Sequence, residues 1–224
     1  MKRIRKAVRV TSVIMAAILT ALVATVLCAP EEDRIALTEA LDGLHDQEES
    51  GRQIDWDSLP AEVIAWVEVP GTGIDEPVVQ ASPDSPNAYL YRDVFGQGAY
   101  GTPYIDCECS IDSRLVIVYG HHMSDGTAFA EFADFIDEEF AREHSRIIVY
   151  KRSGEALDLE VCAIDVVNAS RERLVIDQEE SFEKIVGAAD LQLSGPAEAE
   201  QLFAFTTCSY QTWNSRTIVY AHHA

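Results

Sequence analysis

Phe203-Ala204-Phe205-Thr206-Thr207-Cys208-Ser209-Tyr210, with Asn214-Ser215-Arg216-Thr217-Ile218-Val219-Tyr220 behind it, reads as two strands joined by a loop. The first run of strand formers delivers a single cysteine to its end. An arginine follows eight positions later, at the start of the second run. A hairpin of this kind brings the thiol of Cys208 and the guanidinium of Arg216 together. A third strand, Val116-Ile117-Val118-Tyr119, ends on Gly120-His121-His122 far upstream and can supply a proton-transfer group.

Working outward, Ile64 to Val69 reads as a strand closed by the turn Pro70-Gly71-Thr72-Gly73. Ile74 to Gln80 is a second strand, in which Pro77 signals an edge or a bulge. Gly101 to Asp106 and Arg114 to Tyr119 follow, the latter so continuously apolar that both its faces should be buried. Asp57-Ser58-Leu59-Pro60 resembles a cap and first-turn proline for a short helix. A helical pattern is expected over Ala128, Phe129, Phe132, Phe135 and Ile136, and another over Gln178 to Ala189. Ser145 to Lys151 and Ala156 to Val167 form a hairpin turning at Ser153-Gly154. Many short strands with few helices argue for a mainly β fold, a β-barrel with helices at its rim.

The N-terminal quarter is different. Residues 1–9 hold five basic side chains and no acid, a basic tail expected in the cytoplasm. Residues 10–29 carry no charge over 20 positions, the length of a membrane-crossing helix. The basic flank orients the remainder outside the cell. A cleaved signal peptide is the rival, but no clean A-x-A closes the run. Residues 30–53 form an acidic helical stalk, with Leu37, Leu41 and Leu44 on one face. The domain proper spans 54–224. Beyond the tail, 12 basic residues face 38 acidic ones, a surface that repels nucleic acid. Five cysteines leave at least one thiol unpaired within a monomer. Cys107 and Cys109 are too close for an unstrained mutual disulfide, and a bond from either to Cys162 stays open.

A free cysteine is mostly protonated at neutral pH, and the thiolate is the nucleophile. Positive groups beside it favour the thiolate. A histidine can give a proton to a departing amine, and an arginine can hold negative charge on an attacked carbonyl oxygen. Cys208, His121 and Arg216 together therefore suit acyl transfer from a peptide. Singly, each has a plainer role: a strand cysteine as a small hydrophobe, a histidine in a turn, an arginine in solvent. Adjacent strand-end residues point to opposite sides, so only one of His121 and His122 can readily face Cys208. The tail Tyr220-Ala221-His222-His223 echoes Tyr119-Gly120-His121-His122 and raises a rival, a tethered metal-binding module built from two histidine pairs. No acid or thiol ligand stands at a recognised spacing beside them.

The joint pattern resembles the sortases. Thr206-Thr207-Cys208 is similar to the end of their TLxTC signature, with Phe205 at the leucine position. Tyr119-Gly120-His121-His122-Met123 resembles the YGH-x-M run of class B sortases, and Arg216 falls where that family's arginine stands. Trp66 to Gln80, Gly101 to Asp106, Asp125 to Phe129 and the helix over 178–189 extend the resemblance across roughly residues 54–221. The resemblance implies a closed eight-stranded barrel with a groove at one end. It implies a cysteine transpeptidase with Cys208 as nucleophile, His121 rather than His122 as the acid, and Arg216 at the oxyanion. Thr206, Thr207, Ser209 and Tyr210 would line the substrate pocket. The implied partners are surface proteins bearing a C-terminal sorting signal, NP-x-T-like in class B relatives, and a cell-wall precursor amine or a pilin lysine as acceptor. A hydrolase that lets water resolve the thioester is the enzymatic rival. No metal or cofactor is called for.

Overall fold

The computed structural model describes residues 52–95, 101–123, 126–168, 179–195, 199–209 and 215–223, with Cys208 and Ser209 described by backbone alone. The expected basic tail, the apolar run, nearly all of the stalk, and Tyr210 lie outside the described residues. Among the described residues no helix is long and apolar enough to cross a membrane.

Among the described residues nine strands form one sheet: β1 (Val63–Glu68), β2 (Asp75–Gln80), β3 (Tyr104–Ile105), β4 (Leu115–Gly120), β5 (Arg146–Lys151), β6 (Ala156–Asn168), β7 (Leu191–Gln192), β8 (Leu202–Ser209) and β9 (Ser215–His223). Their order is β5-β1-β2-β3-β4-β8-β9-β6-β7, and β5 also pairs with β6. That extra pairing closes eight strands into a barrel and leaves two-residue β7 appended to β6. Closure removes the open edges that a flat sheet would expose. The closed eight-stranded barrel matches the expectation from the family resemblance.

Period-two burial builds the wall. In β1, Val63, Ala65 and Val67 are buried and alternate with half-buried neighbours. β4 departs from alternation as its composition predicts, with Leu115, Val116, Ile117 and Val118 all buried. Pro77 sits within β2, opposite Trp66 of β1. On its other side β2 meets β3 only at Val79 and Gln80, so the missing N–H of Pro77 costs no ladder bond there. The hairpin turn is at Gly154, whose φ of 96° lies in the left-handed region that glycine tolerates.

One local expectation is corrected and two helices are narrowed. Asp57–Pro60 forms no helix. It is a pair of turns in which Ser58 N–H donates to Asp55 O and Leu59 N–H to Trp56 O, and the proline restricts Leu59 from continuing. Arg152 ties these turns down, donating to the carbonyls of Trp56, Pro60 and Val63 at 2.8–2.9 Å. The phenylalanine pattern folds as a 3-10 segment, Ala130–Ile136, followed by α1 (Glu138–Glu143) capped by Asp137. Phe129, Phe132 and Phe135 recur every three residues, which suits the three-residue turn of a 3-10 helix. The later helix, α2, covers Phe182–Gly187, with Ser181 at its N-cap, and is shorter than expected.

The 3-10 segment carries aromatic side chains into the core. Phe132 stacks on Phe205 of β8 at 5.3 Å between ring centres and meets Phe129 edge-on at 4.9 Å. All three rings are fully buried. We expect Phe132→Ala to lower unfolding free energy by about 3–5 kcal/mol. Ile136→Ala, on the exposed side of the same segment, should cost less than about 0.5 kcal/mol. Urea titrations with unchanged m-values would check both.

Candidate active site

The parallel pairing of β4 with β8 sets the site. Tyr119 lies opposite Thr206, and Gly120 opposite Thr207. Continued by one step, this register brings His121 beside the Cys208 position. β9 runs antiparallel on the other side of β8, and there Cys208 pairs with Arg216. Residues directly opposite in such a pair have Cα atoms about 4.5–5.5 Å apart. Period two puts residues 206 and 208 of β8, Tyr119 and His121 along β4, and Arg216 of β9 on one sheet face. A single face thus receives three residues remote in sequence.

A groove of about 530 Å³ opens on this face, lined by Tyr119, His121, Thr206 and Arg216, with Thr207 at its border. One wall is the 3-10 segment Ala88–Leu90 with Pro86 and Asn87 ahead of it. The opposite end is Asp106-Cys107-Glu108, the turn after β3. Gln80 anchors that turn by donating its side-chain amide to the Asp106 and Cys109 carbonyls at 3.1 and 3.0 Å. Asp106 Oδ1 accepts from Glu108 N–H at 2.8 Å. Burial raises the Tyr119 phenol above its ordinary range, and the Asp106 charge and hydrogen bond add to it.

His121 enters the groove from the end of β4, and its Nε2 donates to the Leu90 carbonyl. Tyr91 lies alongside, 6.2 Å between ring centres. The backbone of His122 forms an antiparallel bridge with Ala128. Gly120 between Tyr119 and His121 is a packing requirement. A Cβ there would meet the Phe129 ring at 2.3 Å.

The expected residues divide as follows. His121, Arg216, Thr206 and Thr207 border one groove. Cys208 and Ser209 have their backbone in β8, Cys208 in register with Arg216. Tyr210 lies outside the described residues. The hydroxyls of Thr206 and Thr207 are buried without a hydrogen-bond partner among the described residues. The two-pair metal module is not assembled. His222 lies opposite Leu202, at the start of β8, whereas His121 follows the Thr207 end. Six residues of strand separate the levels of His222 and His121, about 20 Å. Sequence reasoning missed the Leu90 carbonyl, Tyr91, Asp106 and Tyr119. In sequence Tyr89-Leu90-Tyr91 is no more than an aromatic run after Pro83 and Pro86. A backbone acceptor leaves no side-chain signature.

A family model for the sortase domain matches residues 67–224. Sortase B of Listeria monocytogenes is 27% identical over 94 residues, 40% of this chain and 37% of that protein. The chain thus aligns with little more than a third of that relative's length. Sortase B of Clostridium perfringens superposes with a TM-score of 0.63 at 26% identity, over 73% of this chain and 94% of that one. A Streptococcus pyogenes class B sortase involved in pilus biogenesis superposes at 0.65 with 21% identity, over 76% and 98% of the two chains, a likeness of fold.

Cys107, Cys109 and Cys162 are all free thiols, so neither Cys107 nor Cys109 is bonded to Cys162. Burial pushes Cys109 up to about 11 and Cys162 up to about 12. Cys162 donates its S–H to the Tyr220 carbonyl at 3.3 Å. Their thiolate populations at neutral pH are therefore minute. We expect iodoacetamide to leave Cys109 and Cys162 unmodified in the folded protein and to alkylate both in urea. Peptide mass mapping of the two samples checks this.

Proposed function

Because the chain belongs to the sortase family, with class B sortases among its structural relatives, we propose that it is a cysteine transpeptidase acting on a C-terminal sorting signal. The observation that carries this reading is the register. Arg216 stands opposite Cys208, and His121 follows the Gly120–Thr207 pair along the same rim.

Cys208 as thiolate attacks the carbonyl carbon of the signal's threonine. Arg216 stabilises the oxyanion as the tetrahedral intermediate forms. His121, as imidazolium, protonates the amine as the C–N bond breaks, leaving a thioacyl enzyme. An incoming amine then attacks the thioester, gives a proton back to His121 and expels the thiolate. The acceptor is the amine of a cell-wall peptide precursor, and the donor signal is NP-x-T-like. A lysine of a pilin subunit is the alternative acceptor. The protein works outside the cell, held by residues 10–29 in the membrane with residues 1–9 inside, and 30–53 as spacer. The acidic end of the groove at Asp106 and Glu108 supports a cationic partner.

Incubation of the full chain with sorting-signal peptides and candidate amines, read by mass spectrometry, tests the reading. Wild type should give a thioacyl adduct on Cys208 and, with amine, a transfer product. Cys208→Ala should give neither while keeping its circular dichroism. Turnover by Cys208→Ala would sink the assignment, and release of free acid even with excess amine would favour the hydrolase. Arg216→Lys should lower kcat roughly 100- to 1,000-fold, because a point charge does not reproduce a guanidinium at the oxyanion.

A further inference from the structure

Gly101 has no described part in chemistry and lies 20 positions before His121 in the chain. Its φ is not in the left-handed region, in contrast with Gly71, Gly126 and Gly154. What glycine provides at 101 is space. A Cβ there would lie 2.4 Å from both the Tyr89 and Leu90 carbonyl oxygens and 2.7 Å from the Leu90 carbonyl carbon. These are backbone atoms at the end of the 3-10 segment, so the segment itself would have to move.

The same segment is held on its other bonds. Leu90 N–H donates to Asn87 O at 3.1 Å, and Thr102 N–H donates to Tyr89 O at 3.0 Å. Thr102 is buried, and its Oγ1 accepts from Val94 N–H at 2.9 Å, tying the chain beyond Tyr91 to the same strut. Val79 N–H donates to Pro103 O at 3.0 Å, so the strut is fixed to β2. The Leu90 carbonyl is thereby held against the groove, where it accepts from His121 Nε2.

We propose that Gly101 is a positioning residue for His121: its close approach fixes the Leu90 carbonyl, which holds the imidazole as the Nε2–H tautomer and leaves Nδ1 to carry the transferable proton. A carbonyl can only accept, so Nε2 keeps its proton in both charge states of the ring. In the imidazolium, the Nδ1–H bond breaks as the leaving amine takes that proton, and the neutral Nε2–H tautomer remains. The acceptor amine returns a proton to Nδ1. The part played by that proton rests on the transpeptidase reading, whereas the tautomer does not.

The test is 15N NMR of the histidine-labelled full chain, with His121 assigned by loss of its signals in His121→Gln. At a pH above the ring's titration, wild type should show Nε2 protonated and Nδ1 bare. Gly101→Ala should yield a mixture of tautomers. In the same variant kcat should fall roughly 10- to 100-fold, from a misplaced proton donor. KM should rise as well, because the segment that moves is one wall of the groove, so the ring's tautomer is the readout that separates positioning from binding. Thr102→Val, which removes only the acceptor for Val94, should shift the ring in the same direction by less, and it decides the role of the strut if Gly101→Ala loses its circular dichroism. An Nδ1–H tautomer in wild type overturns the proposal. So does an unchanged ring in the folded variants, or a loss expressed in KM alone. A wild-type chain with the expected tautomer but no acyl adduct from any signal peptide would remove the transpeptidase reading and leave the positioning of the ring standing.

Discussion

The parallel contact between β4 and β8 is the constraint on which the rest of the structure depends. Parallel neighbours cannot be joined by a tight turn, so a long crossover must separate them. Here it holds the phenylalanine segment, α1, the β5–β6 hairpin, α2 and β7. The gain is directional. Two parallel strands end at the same rim, so the residues after Gly120 and at Cys208 arrive together, and antiparallel β9 starts there with Arg216. The three groups in the proposed chemistry are assembled by register. A slip of one residue would turn every side chain of the moved strand to the opposite face.

That register is tied to the core through Gly120. The Phe129 ring occupies the space a Cβ would need, and Phe129 N–H donates to the His121 carbonyl at 2.9 Å. The chain leaving the site therefore folds back onto the strand end it has just left. Ala128, with φ of 57°, closes this return by bridging to His122. A non-glycine residue there is strained by roughly 1–2 kcal/mol, and the packing of Phe129 and Phe132 is the compensation at hand. The arrangement also separates the two histidines physically: one enters the groove, and the other belongs to the return loop.

Much of this was legible in the sequence because it is written in periodicity. The apolar runs at 64–69, 115–119 and 202–208 contain their own strands, and Ser153-Gly154 contains its own turn. Alternation allowed only one of His121 and His122 to face Cys208 and the family resemblance selected His121, which lines the groove while His122 bridges to Ala128. The phenylalanines carry a helical pattern, which does not by itself distinguish an α-helix from a 3-10 helix. Only the spacing of three recurs here, and it describes a 3-10 segment. Asp57–Pro60 carried a cap and a proline but no apolar stripe, so nothing stabilised a helix beyond its first turn. The groove walls were the least legible part. Leu90 contributes a carbonyl, Gly101 an absence of side chain, and Asp106 a charge brought in by a two-residue strand too short to show a period.

The rim is also where the barrel's hydrogen bonding is least complete. Thr206, Thr207 and Thr217 are buried, and their hydroxyls have no partner among the described residues. Thr207 and Thr217 stand opposite each other across β8 and β9, and Thr206 precedes Cys208 by two on the groove face. A buried hydroxyl left without a partner costs about 1–3 kcal/mol, and valine has nearly the same shape without that cost. A barrel selected for stability alone would gain by carrying valine at these places, as it does at Val116, Val118 and Val219. Ser194 and His222 also hold a buried polar atom without a partner among the described residues, but three such groups gather at the strand ends beside the proposed nucleophile, which fits selection for something other than stability. The well-packed strand middles supply the stability, and the strand ends are free to carry polar groups whose partners are not part of the barrel.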